Sequence, residues 1–496
     1  MKKLTFLNLK TVIKYITKKT ENIGAIKQKR YNKAYLQPMN TFAFFTVFQS
    51  NKVRRIFIFF CCLCGFTASL FLFYPGFISP DSLDQFTQAL HGDYGNWHPP
   101  IMAGFWHLLL NFYVGPQPML IFQQLLLWVG AGFLAEVIFK RLPLLSPLLF
   151  LLLAAPYVQN VAGNIWKDLH MSLSWFLAIS LLIFFYFEKT RPKPWQSTLI
   201  LLLIFYGTWV RVSGFPGSIP LLFLWFRLSF PSAFGSKRRV AVGIALVLAF
   251  SSLQLEKIIS RFVLQAHDDH IEYKLIAHDL TGLSMRSRKL LFPPEIKSWK
   301  GFDTAYLFSH YQLMSFDNIW WNPDHKQILP SLTELQHKSL QAYWRAAILS
   351  YLPQYLKMKY EGSLYFIKIR ESGNGMMIMH PYIKQNNFGF KLEPNSLRDK
   401  FFYKIEVRQY AWYMVPWYWM MINLLFLLLA FLPKLRTHRE LLMVLACSAL
   451  FYLIVHFFVY PADTELRYFY WYSLCTSLSL IFTISCWFLP REKSPD

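Results

Sequence analysis

The chain reads as an all-α polytopic membrane protein with about ten transmembrane helices, and three observations lead there. Of its 496 residues, 54% are hydrophobic and 19% aromatic, whereas only 16% are charged. A soluble domain averages about 25% charged residues. Apolar runs close to the length that crosses a bilayer as a helix recur along the chain. Lys and Arg gather between alternate runs, which orients them.

Taken in order, Lys52, Arg54 and Arg55 precede a first span at about residues 56–74, which therefore runs outward. Residues 75–118 hold no Lys or Arg but include Asp81, Asp84 and Asp93, as expected of an external loop. A second span (119–139) ends inside at Lys140 and Arg141. The third (142–159) returns outward and leaves Lys167 and Asp168 at the outer face. A fourth (169–187) stops at Lys189, Arg191 and Lys193. The fifth (197–212) and sixth (214–228) put Arg211 at an outer turn, with Pro216 and Pro220 interrupting the latter.

Lys237, Arg238 and Arg239 then lead into the seventh span (240–258). Beyond it, the polar region 260–409 is too long to be structureless and is expected to be a small external domain before the last three spans. Its amphipathic stretch 343–355 suits a membrane surface. The eighth span (411–432) ends at Lys434, Arg436 and Arg439. The ninth (441–460) and tenth (468–489) flank a short external turn, and Arg491 and Lys493 close a cytoplasmic tail at 490–496.

Residues 1–55 form a basic cytoplasmic tail in this topology. Leu4, Leu7, Val12, Ile13 and Ile16 give either one face of a surface helix or part of a disordered arm, and Met39 is an alternative start. No apolar signal segment stands among the first thirty residues. Both termini are expected in the cytoplasm of a cell whose inner membrane holds the protein. The formal charge of +24 falls mostly on cytoplasmic loops, so no nucleic-acid partner is expected. Cys61, Cys62, Cys64, Cys447, Cys475 and Cys486 all lie in apolar runs, and no disulfide framework is implied.

Chemistry-bearing residues collect on the external face. In Ser79-Pro80-Asp81-Ser82-Leu83-Asp84, Ser79 reads as an N-cap and Pro80 as the first helical residue. Asp81 then sits in the first turn, with Asp84 on the same side. An acid there steadies the helix dipole, or serves as a general base at the membrane boundary. His98-Pro99-Pro100 leads into the apolar stretch 101–112, too short to span and expected as an interfacial helix. His98 is a proton carrier, a ligand or a helix-end residue. Lys167 and Asp168 precede the fourth span, Arg211 follows the fifth, and Glu465 and Arg467 precede the tenth.

Charged groups there either snorkel to the headgroups or bind an anionic lipid headgroup, with cations for phosphate and a carboxylate for proton transfer. His278 and Asp279 in the polar region add a further candidate without a strong metal spacing. No phosphate-binding glycine loop or nucleophile elbow occurs in a fitting context.

The order Tyr74-Pro75-Gly76, Asp81-Ser82, Gln85, Trp97-His98-Pro99-Pro100, Lys167-Asp168, Trp209-x-Arg211 and Glu465-x-Arg467-Tyr468 resembles the GT-C membrane glycosyltransferases. It is most similar to a bacterial branch distantly related to protein O-mannosyltransferases and the aminoarabinose transferase of lipid A. The resemblance covers all ten expected spans and implies a GT-C-like fold with interfacial helices in the first external loop. It implies transfer of a sugar from a polyprenyl-phosphate donor to a glycan, lipid or protein acceptor. Asp81 would be the base, with Arg211, Arg467 and Lys167 on the donor phosphate. Asp168 matches the position that helps hold a divalent metal (Mg or Mn). The family's paired acids are often adjacent, whereas Ser82 follows Asp81 here, which makes Asp84 a rival partner. A flippase for lipid-linked sugars, or a polymerase or ligase of such glycans, is the competing expectation.

Overall fold

The computed structural model describes residues 50–141, 145–231, 237–320, 329–370, 379–459 and 465–488. The basic tail up to residue 49, the start of the last external turn and the C-terminal tail lie outside the described residues.

The described residues are helical, with isolated β-bridges and no strand. Five helices are long and apolar enough to cross a membrane: Asn51–Phe73, Gln117–Arg141, Lys167–Glu188, Arg238–Val263 and Pro433–Phe457. The pair Pro194–Val210 and Val212–Ser229 is bent by 120° and, counted as one broken span, brings the number to six. These helices fit a multi-pass membrane protein.

Two of the expected spans fall short at prolines. The apolar run at 142–159 contains Pro147 and Pro156, and its described part forms the helices Ser146–Leu153 and Pro156–Gln159. Pro416 opens the 14-residue helix Pro416–Leu429, about 21 Å long against a hydrocarbon core of about 30 Å. Proline lacks the N–H that would continue a preceding helix.

Burial separates the helices into inner and outer. Within its most apolar window Lys167–Glu188 is 89% buried, whereas Asn51–Phe73 is 17% and Arg238–Val263 22% buried. Lys167–Glu188 packs between Gln117–Arg141 and Pro194–Val210, and Phe215–Ser229 packs on Arg439–Val459. The outer helices expose Ile56, Phe59, Phe60, Val247 and Phe250, a surface suited to hydrocarbon.

The segment after the first span forms two short helices, as the sequence predicts. In Pro80–His91 the Ser79 hydroxyl accepts from the Ser82 N–H, a cap that stabilises a helix by about 1 kcal/mol, and Gly92 closes the far end at φ 70°. Pro100–Leu110 is 11 residues long, too short to span. Phe86 fastens the first helix down, its ring 5.3 Å from Trp106 and 4.9 Å from Phe390.

The region after the helix Arg238–Val263 builds a separate apolar core around Tyr273, Ile276, Leu280, Leu283, Phe292 and Leu340. Helices Ile271–Ser287, Glu334–Ser350 and Leu352–Phe366 carry much of it.

Candidate active site

Three helix starts meet at one place: Pro80–His91, Lys167–Glu188 and the turn Leu466–Phe469 that leads into Tyr470–Phe488. Backbone contacts lock the first two together. Phe77 N–H donates to Gly163 O at 2.8 Å, and Ile165 N–H donates back to Phe77 O at 3.2 Å. Gly163 permits this approach, since a Cβ there would stand 2.5 Å from the Phe77 ring. The Ser82 hydroxyl donates to Ile165 O at 2.8 Å, and Trp166 Nε1 donates to Ser79 Oγ at 2.7 Å.

Because Ser79 and Ser82 cap the helix between them, Asp81 is left for another partner. Arg467 Nη1 donates to its Oδ2 at 2.8 Å. The same guanidinium donates to Glu465 Oε1 at 3.3 Å and to Tyr468 Oη at 3.2 Å, and lies 4.7 Å from the centre of the Trp166 ring. Burial alone would push the Asp81 carboxyl up, but Arg467, His98 and Lys167 outweigh it and hold it well below the carboxylate range. Its side chain is still 35% exposed, so it remains within reach of a ligand. At Glu465 burial wins over Arg467 and lifts the carboxyl.

Lys167 Nζ donates to His98 Nδ1 at 2.7 Å, which assigns the ring proton to Nε2. That Nε2 faces Asp81 Oδ1 at 3.9 Å. Burial and the neighbouring Lys167 lower the His98 pKa to about 3, so the ring is neutral at physiological pH.

Asp168 is fully buried one residue further on, and Arg211 Nε lies 3.1 Å from its Oδ1. The contact is ionic without hydrogen-bond alignment: neither Asp168 oxygen is hydrogen-bonded among the described residues. Arg211 stands at the break of the bent helix pair. Its Nη2 donates to His456 Nε2 at 3.2 Å, while His456 Nδ1 faces Tyr452 O at 3.2 Å. His456 sits inside an apolar run, where an ionisable residue is itself a functional signal, although the sequence reading did not single it out.

The structure thus brings together Asp81, His98, Lys167, Asp168, Arg211, Glu465 and Arg467. It leaves two candidates out. Asp84 is exposed and, among the described residues, its side chain accepts from Gln88 alone, at 2.9 Å. Asp279 is buried beside the separate core, where Lys359 Nζ donates to it at 2.8 Å and Trp344 Nε1 at 3.3 Å.

The surroundings of Asp168 do not fit Mg²⁺ or Mn²⁺, which need several oxygen ligands. Asp168 faces a guanidinium, and the Ser82 hydroxyl is spent on Ile165 O. Among the described residues no trio of carboxylate or imidazole ligands includes Asp168. What the arrangement offers instead is Lys167, Arg211 and Arg467 balanced against Asp81, Asp168 and Glu465. A phosphate arriving there would compete for the guanidinium groups. No protein-family model matches this chain, and no curated protein or solved structure matches it significantly.

Proposed function

We propose that the protein transfers a sugar from a polyprenyl-phosphate donor to an envelope acceptor on the outer face of the cytoplasmic membrane. This is the GT-C reading, with about ten spans and both ends cytoplasmic. The observation that carries it is the Asp81–Arg467 ion pair across 386 residues, joined by His98, Lys167, Asp168 and Arg211.

In the resting site Arg467 keeps Asp81 ionised and weakly basic. The donor phosphate takes Arg467 and Arg211 as its counter-charges. Relieved of its partner, Asp81 gains basicity and accepts the proton of the acceptor hydroxyl as that oxygen attacks the anomeric carbon. The lipid phosphate departs as an anion, stabilised by Arg211, Arg467 and Lys167. His98 holds Lys167 in place by accepting a hydrogen bond from its ammonium.

The test is mass spectrometry of envelope glycolipids, polysaccharides and glycoproteins. It compares wild type, a deletion, and the deletion complemented with Asp81→Asn at equal expression. Loss of one sugar increment in the deletion, unrestored by Asp81→Asn, is the expected result. Restoration by Asp81→Asn would refute the base role.

One observation favours a second reading. A broken helix with a charged residue at the break, as at Arg211, is a feature of transporters. A flippase needs no proton acceptor, so Asp81→Asn would leave its sugar flux in place.

A further inference from the structure

The long helices Asn51–Phe73 and Gln117–Arg141 pack together, yet they leave an open groove of about 480 Å³ between them. Arg55, Ile58, Cys62 and Phe66 stand along one wall, and Leu125, Val129, Gly132 and Glu136 along the other. Each set recurs at three- and four-residue steps, which keeps it on one helix face. From residue 55 to 66, and from 125 to 136, a helix rises about 16 Å. Leu63 and Val129 line the groove and are exposed, so it opens sideways toward hydrocarbon.

Its two ends differ. At one, the Arg54 guanidinium holds Glu136 at 2.8 and 3.1 Å, and Arg55 Nε approaches the same carboxylate at 3.4 Å. The Arg55 side chain is still 69% exposed, and Lys52 stands exposed one turn before it. Lys52, Arg54 and Arg55 against Glu136 leave two positive charges in excess there. At the other end Trp128 bridges the helices, its Nε1 donating to Ser69 Oγ at 3.1 Å. The indole lies against Gly65, where a Cβ would stand 2.2 Å from its ring.

The dimensions select the occupant. A volume of 480 Å³ over about 16 Å is a cross-section of roughly 30 Å². A helix about 10–12 Å across occupies roughly 80 Å² or more and does not fit. A single hydrocarbon chain does. Basic residues just before an apolar helix attract anionic lipid headgroups.

We infer that the groove binds one anionic phospholipid, an acyl chain lying along it and the headgroup phosphate held by Arg55 and Lys52. The site is separate from Asp81, since residue 55 is about 27 Å of helix from Phe73, which leads into the Asp81 segment. It does not depend on the transfer reaction.

The experiment uses the full chain in detergent, washed free of loose lipid and incubated with equimolar dioleoyl phosphatidylglycerol and dioleoyl phosphatidylethanolamine. Native mass spectrometry reads the bound lipid per chain. Wild type is expected to hold one lipid, with phosphatidylglycerol favoured several-fold. Lys52→Gln with Arg55→Gln is expected to erase that preference. Gly132→Leu, whose added atoms enter the groove beside Cys62, is expected to lose the retained lipid. No bound lipid in wild type, equal occupancy by the two lipids, or a dimer that excludes lipid overturns the site. So does an unchanged preference in the double variant. Phosphatidylglycerol with a diazirine on its acyl chain tests wild type alone, with no variant that must fold. Crosslinks mapped within residues 58–66 or 125–133 are expected, and crosslinks only elsewhere overturn the site.

Discussion

Asp168 and Asp279 are both fully buried carboxylates beside a basic side chain, yet their surroundings differ in kind. Asp279 accepts from Lys359 and Trp344 beside the separate apolar core. Asp168 meets Arg211 only as a charge, and neither oxygen is hydrogen-bonded among the described residues. A buried charge is tolerated when it is paired and hydrogen-bonded, and leaving it half-satisfied costs stability. The Asp279 carboxylate is therefore satisfied by its own neighbours. The Asp168 group belongs to an arrangement that a ligand would complete.

Asp81→Asn strikes hardest at the open site. On the proposed chemistry it lowers the transfer rate by about 10²–10⁴-fold, measured with purified protein and a polyprenyl-phosphate sugar, while helicity stays unchanged. Next comes Asp168→Asn with Arg211→Met. This double variant stays folded by circular dichroism but loses roughly 10²-fold in rate, because one phosphate counter-charge is gone.

The Asp279–Lys359 pair behaves in the opposite way. Lys359→Met strands Asp279 and destabilises the protein by about 3–5 kcal/mol, seen in thermal or denaturant unfolding. Adding Asp279→Leu restores stability, and transfer by the folded fraction is unaffected. If Lys359→Met abolishes transfer without destabilisation, Asp279 is not scaffolding.

A smaller effect sharpens the picture at His98. Its pKa is lowered from 6.5 to about 3, by burial first and then by Lys167. Between those values the unfolded chain binds a proton that the folded chain refuses, so stability falls as pH drops from about 6.5 toward about 3. His98→Gln flattens the melting temperature across that window. Smallest of all is Asp84→Asn, expected to change stability by no more than about 0.5 kcal/mol and to leave transfer intact.

Much of the site was legible because membrane chains seldom keep charges at the ends of apolar runs without use. Lys167, Asp168, Arg211 and Arg467 stood out that way, and Ser79-Pro80 announced the helix that carries Asp81. Asp279 was misleading because its partner, Lys359, lies 80 residues away and only tertiary packing pairs them. Asp84 shares a helix side with Asp81 in a helical projection, but the Arg467 contact selects Asp81 alone. His456 was hidden by its apolar neighbours. The ten-span expectation counted apolar residues, whereas a helix also needs unbroken hydrogen bonding, which Pro147, Pro156 and Pro416 interrupt.

The Asp81–Arg467 pair also bears on how the chain is made. The two residues are 386 apart, so a ribosome working at about 5–20 residues per second leaves roughly 20–80 s between them. Throughout that interval Asp81 has been synthesised but its guanidinium partner has not. A chain truncated before Arg467 could insert its earlier helices and still lack the pair, which makes a segment translated long after Asp81 the one that completes the site.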